Sequence, residues 1–190
     1  MTTKAPLLTI ADWDALPAED GNRYEIIEGE LFVSVWPGLT HQRVLTNLLS
    51  LFAIFLEKNP IGECLPTVGL ILSQYSGVIP DLVFFLNEQS ERIIKDDRLI
   101  GPPALICEVV EEGLANTGRD CGTKLKLYSK HGVPEYWLVY PKTLTIERWV
   151  RQGDSLIRWK TLRINDTLTS DLLPGFSGLL SQIFRPIGKR

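Results

Sequence analysis

The sequence predicts an α/β (α+β) fold in which a central β-sheet is flanked by helices, with a β-hairpin near each end of the chain. Three observations predict it. Residues 78–86 and 104–110 are almost wholly apolar and bounded by Gly or Pro, as central strands covered on both faces are. Apolar residues recur at helical spacing from Thr40 to Lys58, and a second helical pattern over residues 118–131 stands between strand-like runs.

Taken in order, Thr9 caps a short helix that Pro17 ends. In residues 23–34, Glu28-Gly29 separates two β-forming runs, a hairpin in which Gly29 supplies positive φ. Thr40 is the expected N-cap of the next helix, whose Leu45, Leu48, Phe52 and Phe55 form one stripe that His41 begins. Strands are expected over 65–72, 78–86 and 104–110. The helix over 118–131 carries Asp120, Lys124, Leu127 and His131 near one stripe and is stopped by Gly132. An aromatic-rich strand over 133–140 follows. A hairpin then joins 145–150 to 156–162 across Arg151-Gln-Gly-Asp154, and residues 172–180 form a loop and last helical turn.

The 190 residues suit a single domain spanning 1–190. Hydrophobic residues at 44% and charged residues at 23% match an ordinary globular chain, which predicts autonomous folding. A net charge of −3 gives no sign of a protein that holds nucleic acid by bulk electrostatics. Only residues 151–190, with 7 basic and 3 acidic side chains, are net positive, so Arg151, Arg158, Lys160 and Arg163 are the local candidates for phosphate contact, a solvated edge that blocks aggregation being an equally good reading. Cys64, Cys107 and Cys121 include no CxxC pair and there are two histidines, which argues against a disulfide framework and a zinc site. The most apolar stretch, residues 48–56, is about half the ~20 residues that cross a bilayer, and the start of the chain has no signal-peptide pattern. A reduced, cytoplasmic protein without a membrane partner is expected.

Asp81 and Glu108 stand in or beside runs that should be buried strands, and a buried carboxylate needs a compensating cation. If those strands pair, both carboxylates converge within reach of one hard cation such as Mg²⁺. Lys124, on a helical stripe that also carries apolar residues and follows the Glu108 strand, would then stand beside the nucleophile. Each residue alone also has an inert reading: Asp81 as a strand-start residue, Glu108 as an exposed strand end, Lys124 snorkelling to water.

The order of Tyr24-Glu-Ile-Ile-Glu-Gly-Glu-Leu31, His41-Gln-Arg, Pro80-Asp81, Ile106-Cys-Glu-Val109, Asp120-x-x-x-Lys124-x-x-x-Tyr128 and Gly132-Val-Pro-Glu-Tyr-Trp-Leu138 resembles the Uma-two family of restriction-endonuclease-like proteins, within the PD-(D/E)XK nuclease superfamily. The resemblance spans about residues 9–184. It implies a restriction-endonuclease-like core with a mixed central sheet, and an endonuclease that hydrolyses DNA phosphodiester bonds with Mg²⁺, Mn²⁺ being a possible substitute. Asp81, Glu108 and the backbone carbonyl of Val109 would be metal ligands, and Lys124 would orient the attacking water. The superfamily's lysine usually stands two residues after the glutamate; here that position is Val110, and the role is expected to have moved to Lys124. Where related sequences continue with Ser-Pro, this chain has Glu111-Glu112, which brings negative charge towards a phosphate site and motivates the alternative of a catalytically weak or inactive nuclease-fold module that binds nucleic acid or protein.

His41, Gln42 and Glu30 are accessory candidates, each weighed against a bland role: a hydrogen-bonded core histidine, an exposed strand-edge glutamate. Tyr136, Trp137, Trp149 and Trp159 either stack bases or pack between sheet and helix, the latter favoured. One site per chain suggests a homodimer able to cut both strands, with Tyr136 to Tyr140 as a candidate edge.

Overall fold

Thr9 opens α1 (Ile10–Asp14) with a reciprocal capping box to Asp12, and the chain then enters β1 (Asn22–Ile27) and β2 (Glu30–Val35). The computed structural model describes residues 6–17, 20–111 and 118–185. At the hairpin turn Glu28 (φ 54°) and Gly29 (φ 81°) are both left-handed, the conformation that matches the twist of the paired strands.

The long helix α2 (Leu39–Lys58) starts one residue before Thr40, and its N-cap is Gly38, which offers no side chain. Glu111 replaces the predicted Thr40 cap: its Oε1 accepts the Gly38 N–H at 2.7 Å. The stripe His41, Val44, Leu45, Leu48, Phe52, Phe55 is buried as its spacing requires. By length and composition α2 could span a membrane; here one face packs on a sheet.

Two of the three predicted strands are each two strands. Residues 65–72 divide into β3 (Gly62–Pro66) and β4 (Leu70–Ser73) around Thr67, whose φ of 50° breaks the extended path. Residues 78–86 divide into β5 (Ser76–Val78) and β6 (Leu82–Leu86) around Ile79-Pro80-Asp81, where Pro80 has no N–H for a ladder. After α3 (Asn87–Ile93), β7 (Ile94–Lys95) turns through Asp96 and Asp97 into β8 (Arg98–Ile100). Then come β9 (Leu105–Val109), a π-helical segment (Arg119–Lys124) continuing as α4 (Leu125–Lys130), and β10 (Glu135–Tyr140). The hairpin β11 (Thr145–Gln152) and β12 (Ser155–Leu162) and the tail of β13 (Thr167–Leu168), β14 (Gly178–Leu179) and α5 (Leu180–Ile183) end the described chain.

One sheet runs β12-β11-β10-β9-β6-β3, antiparallel except for the β9/β10 pair, so it is mixed. The other runs β2-β1-β5-β4-β8-β7. Alternation in the first sheet sorts its side chains between two cores. Leu82, Phe84, Leu105, Cys107, Trp137 and Val139 face α2 and the tail, whereas Val83, Phe85, Ile106, Tyr136 and Leu138 face the second sheet and α4. Asp81 therefore sits where the chain crosses from one sheet to the other, and Glu108 sits on the central strand beside it. Because β10 is enclosed by β9 and β11, Tyr136–Tyr140 offers no edge for a dimer, which corrects that expectation. Tyr136 and Trp137 are core residues, fully buried, while Trp159 is exposed.

Candidate active site

The register of β6 against β9 pairs Leu82 with Cys107, which places Asp81, one residue earlier, opposite Glu108, one residue later. The two carboxylates converge as the sequence predicts: the Asp81 N–H lies 3.4 Å from Glu108 Oε2, and Asp81 Oδ2 accepts the Val109 N–H at 2.8 Å. Both residues are almost completely buried, at 3% and 2% exposure.

Lys124 joins them from the helix. Its first turns are π-wound, a wider and rarer geometry than the α-helix that frequently marks functional segments. From there Lys124 Nζ lies 2.8 Å from Glu108 Oε1, and Tyr128 donates its hydroxyl to the same oxygen at 3.0 Å. Lys124 is completely buried, so the snorkelling alternative is overturned.

Two members of the cluster escaped the sequence reading. Lys124 Nζ is also 2.8 Å from Glu25 Oε1, which in turn accepts the Ile79 N–H at 2.8 Å. Arg23, two residues earlier on the same strand face, extends Nη1 to Asp81 Oδ1 at 3.5 Å and Nη2 to the Ile79 carbonyl at 2.5 Å. Its guanidinium lies 5.9 Å from the Trp36 ring centroid. The signal was present in the period of two, which puts Arg23 and Glu25 on the face that Ile27 buries.

His41, at the start of α2, completes the ring of contacts with Nε2 2.8 Å from Asp81 Oδ2. Burial alone would raise the Asp81 pKa. The His41 hydrogen bond and charge, followed by Arg23 and Lys124, outweigh it and hold the carboxyl below its ordinary 3.8. The sign follows: Asp81 contributes stability above its unfolded value, and that contribution is lost as the pH falls through the lowered native value. The other accessory candidates lie elsewhere. Gln42 is exposed on the next position of α2, and Glu30 is exposed on β2 beside Lys126 and Lys130.

Two of the four basic candidates near the end of the chain are engaged. Arg151 holds the end of α4, donating to the carbonyls of Ser129 at 2.5 Å and Val133 at 3.1 Å. Arg158 pairs with Glu147 at 2.9 Å and lies over the Trp149 ring at 5.8 Å. Arg151 thus closes a helix rather than awaiting a phosphate. Glu111 is tied to Gly38 as described, and Glu112 lies outside the described residues.

The donor set suits a hard cation. Carboxylate oxygens of Asp81, Glu108 and Glu25 converge there, facing Arg23, His41 and Lys124, and oxygen is the ligand a hard cation takes. Cys107, next to Glu108 on β9, faces the opposite side of the sheet in the α2 core, where burial, then the charges of Asp81 and Glu108, push its thiol well above its ordinary 9.0. Among the described residues no three His, Cys, Asp or Glu side chains stand close enough to hold an ion by themselves. A metal here would rest on the Asp81–Glu108 pair, backbone oxygen and water, as Mg²⁺ does.

A crystal structure of "a putative nuclease belonging to DUF820" from Anabaena variabilis ATCC 29413 has the same fold, with a TM-score of 0.73 at 15% identity over 93% of this chain and 97% of that one. No curated protein matches the sequence. The Uma2 family model, described as "Putative restriction endonuclease", matches residues 10–182, and the chain belongs to that family.

Proposed function

We propose that this chain is a metal-dependent endonuclease that hydrolyses phosphodiester bonds in DNA. The observation that carries the reading is Lys124, a completely buried ammonium 2.8 Å from Glu108, whose carboxylate stands opposite Asp81. Membership of the family, and the fold shared with the DUF820 "putative nuclease", support it.

In this reading Asp81, Glu108 and the Val109 carbonyl would hold Mg²⁺, with Mn²⁺ as a substitute, and the bound ion would supply Lewis-acid polarisation of the phosphate and acidify a water. Lys124 orients the attacking water and lends positive charge to the developing phosphorane, a task for which its position beside Glu108 suits it. Glu25 and Tyr128 position that ammonium: one fixes its second contact and the other occupies the remaining approach to Glu108 Oε1. Arg23 and His41 keep Asp81 ionised, the form a metal ligand requires. No covalent intermediate is needed.

Calorimetric titration with Mg²⁺ in low-salt buffer tests the metal half of the proposal. One ion per chain is expected, with a Kd on the order of a millimolar and a loss of about tenfold or more in Glu108→Gln. Equal binding by wild type and Glu108→Gln would remove Glu108 from the ligand set.

A second reading, the binding module without catalysis, is favoured by one observation: Asp81 already accepts from His41, Arg23 and the Val109 N–H. A chain of that kind takes up no divalent ion at this pair, so the same titration separates the two.

A further inference from the structure

Beside the carboxylate cluster, a cavity of about 520 Å³ opens at the start of α2, lined by Gly38, Thr40, His41, Val110, Glu111 and Lys142 among others. We propose that this cavity is an anion-binding subsite that takes a phosphate group, held by the first-turn N–H groups of α2 and by His41 Nδ1. It rests on the nucleic-acid reading above only for the source of that phosphate, a backbone position next to the one cut.

Three independent features meet there. The first turn of the 20-residue helix lines the cavity, so the positive end of its dipole lies there. His41 is 4% exposed, and its Nδ1 is buried with no hydrogen-bond partner among the described residues, while Nε2 is fixed on Asp81. A buried polar nitrogen left without a partner is costly, and a ligand in the cavity would supply one.

The third feature is that an anion already answers the helix. Glu111, itself part of the cavity lining, accepts the Gly38 N–H at 2.7 Å. A carboxylate is a one-charge stand-in for a phosphate oxygen, and its choice of this donor shows what the helix start attracts. An arriving phosphate competes with Glu111 for that N–H, which gives the Glu111 position a purpose: it satisfies the helix end when no substrate is present.

The chain's histidine content makes the test direct, because only His41 and His131 contribute ring signals. Inorganic phosphate is titrated into ¹⁵N-histidine-labelled protein at fixed pH and ionic strength, with chloride as the reference anion. The His41 Nδ1 resonance is expected to move saturably, with a Kd on the order of millimolar, while His131 stays in place. Leu39→Pro removes one first-turn N–H at a position where proline suits a helix, and Gly38 (φ −74°, ψ 173°) already has the extended backbone that a residue before proline needs. It is expected to weaken phosphate about tenfold, and Glu111→Gln to tighten it several-fold. If neither ring responds below about 50 mM, or both respond alike without saturating, the subsite is overturned; so too if Leu39→Pro, shown folded by its spectrum, binds phosphate like wild type. The readout needs no cleavage, so phosphate binding by a chain that cuts nothing keeps the subsite and removes the nuclease.

Discussion

Lys124→Met should lower the stability of the fold by about 3–5 kcal/mol, the range seen when one partner of a buried ion pair is removed. The cause is local. Methionine fills much of the same volume, but Glu25 and Glu108, at 1% and 2% exposure, lose the ammonium that lies 2.8 Å from each. Two carboxylates then face one another without a shared cation, and at least one must take a proton to stay buried. In a chain of this length the loss corresponds to roughly 10 °C or more in melting temperature. Adding Glu25→Gln to Lys124→Met removes one stranded charge and should recover a substantial part. Differential scanning calorimetry reads both; a shift below about 2 °C for the single variant would mean that the cluster is solvated rather than dry.

Glu135→Ala is expected to cost about as much, on the far side of the same sheet and for a different reason. Glu135 is buried at 2% exposure. Its Oε1 accepts the Trp137 indole N–H at 2.6 Å and Arg148 Nε at 2.8 Å, and its Oε2 accepts the Ser170 hydroxyl at 2.6 Å. One carboxylate thereby ties β10 to β11 and to the tail that covers the Phe52–Phe176 aromatic packing, where the rings lie 4.9 Å apart. Truncation strands the Arg148 guanidinium, itself 7% exposed, in an apolar setting. The double variant Glu135→Ala/Arg148→Met removes both charges and should regain more than half of the loss in urea unfolding. A single variant as stable as wild type would show that Arg148 finds other partners.

These networks mark what the sequence could and could not disclose. Asp81, Glu108 and Lys124 were legible because each charge interrupts an apolar pattern, and an interruption on a buried face demands a partner. Arg23 and Glu25 were not, because the run from Asn22 to Ile27 reads equally well as a hairpin strand with its charges in water. Only the placement of the second sheet over that face buries them. The strand split at Ile79-Pro80-Asp81 was hidden for a similar reason: both halves are buried, so the apolar run continues unbroken while the backbone changes sheets. Pro80 was the visible clue. Arg151 was misjudged because its charge is apparent in the sequence and its acceptors, the carbonyls of Ser129 and Val133, are not. The helix before Tyr128 was foreseen, but not its π-wound start, which no side-chain spacing specified.

The reading of Asp81, Glu108 and Lys124 as a hydrolytic centre meets its most direct test in cleavage of supercoiled plasmid by purified protein with Mg²⁺ or Mn²⁺. Wild type is predicted to convert it to nicked and linear forms only when the metal is present. Asp81→Asn, which keeps the side-chain shape, and Lys124→Arg, which keeps the buried charge, should each lower the rate by about a hundredfold or more while remaining folded. Undiminished cleavage by the Asp81→Asn variant, or equal cleavage in the presence of a chelator, would contradict the account.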